Sequence, residues 1–248
     1  MGFLDEQVVV TRRTMVLIFI VDTSSSMEGS KIGAVNIAIE EVLPEIAKMS
    51  ENNTDAEIKI AVLDFSSDAK WTAPAPILAK DFVWNNLNAS GLTAFGEACL
   101  ELNEKLSRNK FMEEPLGSFA PALFLMSDGE PTDKYLHGLE KLKQNAWFQK
   151  AIKVAVAIGE KANTQVLEEF TGTAESVLMV HNPEALKKMI KFLSVTASEI
   201  GSKSSSIGLG NINDEGVFQT KQDVFSDALA NMKPAATGVV DDEDEKWE

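Results

Sequence analysis

The chain has 248 residues and a hydrophobic fraction of 44%, enough for a domain with a sizeable core. Its formal net charge of −15 argues against binding to nucleic acid or to an anionic membrane, and favours a cationic metal or a basic partner. A single cysteine, Cys99, excludes an intrachain disulfide and fits a reducing compartment. The sequence shows neither a secretory signal nor an apolar block of about 20 residues, so we expect a soluble cytoplasmic protein.

An apolar run near the N-terminus ends abruptly in oxygen-bearing side chains. Residues 15–21 are β-branched and aromatic-rich, which predicts a strand buried on both faces of a parallel sheet. Asp22, Ser24 and Ser26 follow at alternate positions, before a helical pattern begins at Ile32. These side chains should therefore lie at the carboxyl end of the sheet, where open α/β folds bind their ligands.

The next segment predicts a helix, a strand and an edge strand. Apolar residues recur every three or four positions over 32–49, so this helix lays one apolar face on the sheet, and Pro44 should kink it. Residues 57–65 predict a second strand, and 69–72 should pair antiparallel with it. The two prolines at positions 74 and 76 are expected to end that pairing.

Helices and strands alternate through the following hundred residues. In chain order the pattern predicts a helix over 95–106, a strand over 120–126, a helix over 136–147, a strand over 152–158, a helix capped by Asn163 or Thr164 that ends at Phe170, a strand over 176–180, and a helix capped by Asn182 that ends near residue 200. This succession predicts an α/β fold with a doubly wound, mostly parallel, Rossmann-like sheet, one antiparallel edge strand and helices on both faces.

The composition changes after residue 200. We expect one domain over residues 1–200, followed over 201–248 by a linker, a short amphipathic segment and an acidic tail at 241–245. The apolar face within 224–232 has two open interpretations: a small helix docked on its own domain, or a segment that binds a partner.

Hard oxygen donors recur in three of the predicted loops. Besides the three in the first loop, Thr93 precedes the second helix and Asp128 follows the strand over 120–126. Hydroxyl and carboxylate oxygens are the ligands that Mg²⁺ prefers. The first loop alone could be a polar turn that caps a helix, but the recurrence in three loops favours a metal site.

These three parts resemble the metal-ion-dependent adhesion site (MIDAS) of von Willebrand factor A (VWA) domains. The parts are Asp22-Thr-Ser24-Ser-Ser26-Met, Thr93 and Ser-Asp128-Gly, and the resemblance covers about residues 11–200. It implies that Ser24 and Ser26 bind the metal directly, Thr93 directly or through water, and Asp22 and Asp128 mainly through water. The implied ion is Mg²⁺, with Mn²⁺ or Ca²⁺ as alternatives, and an acidic residue of a protein partner would complete its coordination.

Four further segments resemble bacterial TerY-type proteins, which are encoded with tellurium-resistance and stress-response genes. They lie at 11–22, 29–36, 42–45 and 128–133. This resemblance implies kinase and phosphatase proteins of the same gene cluster as partners. Ser25 stands where many relatives have glycine, and so does Leu92; a loop that needs positive φ would tolerate Ser25 poorly.

The same residues do not favour an enzyme. A haloacid-dehalogenase-type phosphatase needs an Asp two residues after its nucleophile, where this chain has Ser24, and neither a P-loop nor a G-x-S-x-G motif is present. We therefore expect a non-enzymatic interaction module, with two alternatives: a metal-assisted phosphatase-like hydrolase, or a metal-independent scaffold that uses residues 224–232. Glu130 and Asp133 are either solvated turn residues or groups that tighten metal binding or repel acidic partners.

Overall fold

The chain is built around one sheet of mostly parallel strands. The structure, a computed structural model, describes residues 12–112, 118–159, 162–202, 211–212 and 218–236. The strands of this sheet are β1 (Arg13–Asp22), β2 (Ala56–Phe65), β3 (Ala69–Trp71), β4 (Ile77–Leu78), β5 (Ala122–Ser127), β6 (Ile152–Ile158) and β7 (Val177–Val180). Their order is β3-β2-β1-β5-β6-β7, with β4 also paired to β2; β3 and β4 run antiparallel to β2 and the other pairs are parallel.

Helices cover both faces of the sheet, as the sequence predicts. They are α1 (Ser30–Asn52), α2 (Phe95–Lys105), α3 (Tyr135–Lys143), α4 (Ala146–Lys150), α5 (Thr164–Thr171), α6 (Pro183–Ser202) and α7 (Lys221–Ala236). Apolar residues of α1, α6 and α7 pack on one face, and those of α2, α3, α4 and α5 pack on the other. A separate antiparallel pair consists of β8 (Asn211–Ile212) and β9 (Phe218–Gln219). This is the predicted doubly wound, Rossmann-like α/β fold.

The central strand β1 fixes where the carboxyl-end loops meet. Its side chains alternate between the two cores: Phe19 packs with α1 and α6, whereas Ile18 and Ile20 pack with α2 and α5. β1 pairs with β2 on one side and with β5 on the other, and Val21 lies opposite Met126. The chain leaves the sheet towards opposite sides after β1 and after β5. The carboxyl ends of these two strands therefore form the crevice where such sheets bind ligands.

Two local features differ from the predictions, and a third stays untested. The helix predicted over 136–147 is two helices, because the Asn145 side chain accepts hydrogen bonds from the amides of Trp147 and Phe148 and caps α4. Pairing with β2 does not end at the two prolines but resumes at β4, directly after Pro76. Helix α1 continues through Pro44, which lies on the exposed face of the helix. Proline has no N–H to donate, so the carbonyl one turn earlier loses its helical partner, and on this face water can replace it. The predicted kink stays a prediction.

Helix α7 docks on the domain, which is one of the two interpretations of its apolar face. Phe225 and Leu229 are buried in the core that also contains α1 and α6. The Gln222 side chain accepts a hydrogen bond from the backbone N–H of Lys153 at 2.7 Å and donates one to the Lys153 carbonyl at 3.1 Å. Since β7 pairs with β6 only beyond this residue, the Gln222 amide takes the place of a neighbouring strand there. The division at residue 200 stays a prediction, and the acidic tail lies outside the described residues.

None of the helices in the described part of the chain is both long enough and apolar enough to cross a membrane.

Candidate metal centre

The first loop brings three of the predicted ligands together. Asp22 ends β1 and is fully buried, and its Oδ1 accepts the backbone N–H of Ser24 at 2.9 Å. A single 3₁₀ turn follows, and the hydroxyl oxygens of Ser24 and the exposed Ser26 lie 3.0 Å apart. Two neighbouring ligands of an octahedral Mg²⁺, each about 2.0–2.1 Å from the ion, are themselves about 2.9 Å apart. The spacing of the two hydroxyls therefore suits a shared ion.

The third loop is joined to the first through Ser127. Its hydroxyl donates to Oδ2 of Asp22 at 2.6 Å and accepts the backbone N–H of Gly129 at 2.8 Å. The next side chain, Asp128, is buried, and its Oδ1 atom has no hydrogen-bond partner. A buried carboxylate oxygen without a donor is unfavourable, and a cation or the water bound to it would satisfy this atom.

The second loop, which carries Thr93, is hydrogen-bonded to both of the others. Ser25 donates its N–H to the Gly91 carbonyl at 3.1 Å, and the Gly91 N–H donates to the Ser25 hydroxyl at 2.9 Å. On the other side, Thr93 donates its N–H to the Thr132 hydroxyl at 3.0 Å, and the Thr132 N–H donates to the Thr93 carbonyl at 2.9 Å. The structure thus ties the loops of all five predicted ligands into one hydrogen-bonded edge.

Ser25 is not strained, contrary to the concern raised by its place in the sequence. Every residue with positive φ in the described part of the chain is a glycine, and in these two loops they are Gly29 and Gly91, with φ of 79° and 83°. The Ser25 hydroxyl instead contributes the bond to Gly91 that a glycine at position 25 could not make. Leu92, at the other departure from the family pattern, is exposed.

Asp133 has a structural role that neither sequence interpretation included. Its Oδ2 accepts the backbone N–H groups of Gly96 at 2.8 Å and Glu97 at 3.3 Å, at the start of α2. A cap residue usually lies directly before its helix, whereas this one lies 37 residues beyond Gly96, so no local signal indicates it. Glu130 is exposed, as expected for a turn residue.

The electrostatics of the edge follow from burial. Desolvation raises the pKa of Asp22 above its ordinary value, while hydrogen bonds from Ser127 and Ser24 oppose that rise. A divalent ion would favour the ionised form. The described residues contain no group of three or more His, Cys, Asp or Glu side chains able to hold a metal, so any ion here depends on the hydroxyls. Such a donor set suits a hard cation.

The remaining candidate groups lie apart from this edge. Cys99 is buried in the core beside α2, and burial raises the pKa of its thiol, as expected for a packing residue. His137 and His181 are both exposed.

Comparisons with known proteins agree with this architecture. The sequence model of the von Willebrand factor type A domain family matches residues 17–192. A comparison with curated proteins gave no match. Among solved structures, von Willebrand factor type A from Catenulispora acidiphila is 16% identical with a TM-score of 0.54, covering 75% of this chain and 43% of that one.

Two further solved structures share the fold. Proximal thread matrix protein 1 from the mussel byssus, with a zinc-occupied MIDAS motif, is 20% identical with a TM-score of 0.55, covering 73% of this chain and 47% of that one. BatB from Bacteroides thetaiotaomicron is 15% identical with a TM-score of 0.51, covering 73% of this chain and 97% of that one. The chain spans less than half the length of the Catenulispora and mussel proteins, and at these identities the likeness shows the fold alone.

Proposed function

Because the chain belongs to the von Willebrand factor type A domain family, we propose that it is a metal-dependent protein-interaction module. In this proposal Ser24, Ser26 and Thr93 supply hydroxyl ligands, and Asp22 and Asp128 act mainly through water. The observation that carries the proposal is the buried Oδ1 of Asp128, which has no hydrogen-bond partner. The hydroxyl oxygens of Ser24 and Ser26, 3.0 Å apart, support it.

The proposed ion is Mg²⁺, with Mn²⁺ or Ca²⁺ as alternatives. Neutral hydroxyls as direct ligands leave most of the ion's charge uncompensated. When bound, the ion would supply an open coordination position for a carboxylate of a partner protein. The protein's own residues orient that position, because Asp22 is fixed by Ser24 and Ser127, and Thr93 is fixed by Thr132.

Thermal and urea denaturation with added metal tests this proposal. After treatment with EDTA, added Mg²⁺ or Mn²⁺ should stabilise the wild-type chain, by about 2.7 kcal/mol at a hundred times the dissociation constant. Ser24→Ala and Asp128→Ala should lose most of that gain. The matched control is Ser194→Ala, a buried serine on α6 whose hydroxyl has no partner. A wild-type chain that gains no stability from either metal would contradict the proposal.

We also propose that the domain is not an enzyme. Both oxygens of Asp22 are engaged by hydrogen bonds, and both histidines are exposed, which supports a binding role. Hydrolysis of para-nitrophenyl phosphate by the metal-loaded chain, lost in Asp22→Ala, would overturn this.

The finer proposal concerns the setting. Resemblance to TerY-type proteins supports a bacterial, cytoplasmic stress-response or tellurite-resistance complex with kinase and phosphatase partners. Co-purification of such partners with the wild-type chain should depend on metal, so it should fail in EDTA and in Asp128→Ala. Capture that is unchanged by EDTA would instead favour a scaffold.

A further inference from the structure

The side chain of Lys31 contacts two of the loops that form the candidate metal centre. Lys31 is the second residue of α1, and its ammonium donates to the backbone carbonyl of Ser26 at 3.0 Å. The same Nζ lies 3.6 Å from Oδ2 of Asp128, and the Lys31 side chain is only 22% exposed. One cation thus bridges the first and third loops, beside the carboxylate whose other oxygen has no partner.

The end of β6 restricts where this side chain can lie. Gly159 follows β6 with φ of 99°, and a Cβ built on it would come within 3.2 Å of Lys31 Cε and 3.4 Å of its Nζ. The lysine therefore lies against the Gly159 backbone. A lysine at a solvated helix start would not be held by three separate loops.

The position of Lys31 determines the charge of the centre. Asp22 and Asp128 are buried carboxylates, and Lys31 is the cation in contact with one of them. These three groups together are mononegative, so a divalent ion would make the centre positive by one unit. Without Lys31 the loaded centre would be neutral. A positively charged centre attracts an anionic group, whereas a neutral one offers only a coordination position.

We infer that Lys31 sets the ligand selectivity of the centre in two ways. Its charge lowers the affinity for the divalent ion, and it raises the affinity of the metal-loaded site for a carboxylate. This inference rests on the proposed function, because it assumes an ion at Ser24 and Ser26. It assigns a role to a residue outside the ligand set. The competing explanation is that Lys31 only neutralises Asp128 and stabilises the fold.

Binding of Mn²⁺ alone to the full chain tests the first half. Lys31→Gln keeps a donor for the Ser26 carbonyl but removes the charge, and Lys31→Arg keeps the charge. Electron paramagnetic resonance of free Mn²⁺ should give Lys31→Gln an affinity about tenfold higher than wild type, with Lys31→Arg within about twofold. Lys48→Met is the control, an exposed lysine about 25 Å further along α1.

Acetate tests the second half, as the simplest carboxylate. Acetate should displace water bound to Mn²⁺, and water-proton relaxivity measures this displacement. The acetate concentration at the midpoint should be about three- to tenfold higher in Lys31→Gln than in wild type. Equal Mn²⁺ affinities, or equal acetate midpoints, would overturn the inference while leaving the metal site intact. Absence of Mn²⁺ binding to the wild type would overturn the proposed function and the inference with it.

Discussion

The Oδ2 atom of Asp133 lies 2.8 Å from the backbone nitrogen of Gly96, so a carboxylate of the third loop caps the helix that follows the second loop. Thr93 lies two residues before that helix begins. Since Thr132 also bonds Thr93 in both directions, the segment after Asp128 holds the second loop in place. Metal affinity should therefore depend on residues that never touch the ion.

Replacing Asp133 tests this dependence. Asp133→Ala removes the acceptor for two helix-terminal amides and should cost about 0.5–2 kcal/mol in the free energy of unfolding. It should also weaken Mn²⁺ binding several-fold, because the Thr93 loop loses its support. Asp133→Asn keeps an acceptor oxygen and should recover most of both effects. Loss of metal binding in the Asn variant, with stability retained, would mean that Asp133 is a ligand.

The close approach of α2 and α3 should be equally sensitive. A Cβ added at Gly138 would clash with the Gly96 carbonyl oxygen. Gly138→Ala should therefore separate the two helices and cost about 1–3 kcal/mol in urea denaturation. Gly33→Ala is the matched control, since a Cβ there meets nothing within 4 Å; this half-buried helical site should gain about 0.5–1 kcal/mol. Similar changes in both variants would contradict the tight contact.

Lys221 should make stability depend on alkaline pH. Burial, with a smaller effect of nearby Arg13, lowers the pKa of Lys221 to about 8. An unfolded lysine titrates near 10.4, so between about pH 8 and 10 the unfolded state binds more protons than the folded state. The free energy of unfolding should therefore rise with pH across this range in wild type relative to Lys221→Met.

Urea denaturation in EDTA at several pH values between 7 and 10 measures this difference. The exposed Lys48→Met variant is the control, and its difference from wild type should stay flat over the same range. A flat difference for Lys221→Met as well would show that the lysine titrates normally in the folded chain.

Phe225 should contribute to the domain core rather than to a partner surface. The side chain is fully buried, so Phe225→Ala should cost about 3–5 kcal/mol in the free energy of unfolding. Asn231→Ala changes an exposed residue of the same helix and should leave stability within about 0.5 kcal/mol of wild type. If Phe225→Ala is as stable as wild type, α7 does not pack on the domain in solution and the scaffold interpretation regains support.

The sequence by itself determined the features that depend on residues close together in the chain, such as strands and helix caps. The predicted strand over 152–158 coincides with β6, and the caps Asn163 and Asn182 bond the amides of Gln165 and Ala185 as expected. Mostly apolar strands and helix caps are local signals, since each is decided within a few residues.

The neighbouring position of the three loops that carry the five candidate ligands was also predictable, although these loops are far apart in the chain. Parallel strands end at one edge of a sheet, so oxygen donors placed after successive strands lie in neighbouring loops without any knowledge of their contacts. The hydrogen bonds between Ser25 and Gly91, and between Ser127 and Asp22, agree with that expectation.

Only the tertiary structure decided which of the remaining polar groups support the candidate centre. Asp133 caps a helix formed by earlier residues, Gln222 pairs with the backbone of Lys153, and Lys31 reaches Asp128 across the Gly159 backbone. None of these pairs has a recognisable spacing, because each depends on two elements that meet only after the sheet has formed. The local sequence pattern places the candidate ligand oxygens in their loops. The packing of the sheet and helices brings up the groups that orient these loops and set the net charge of the candidate centre.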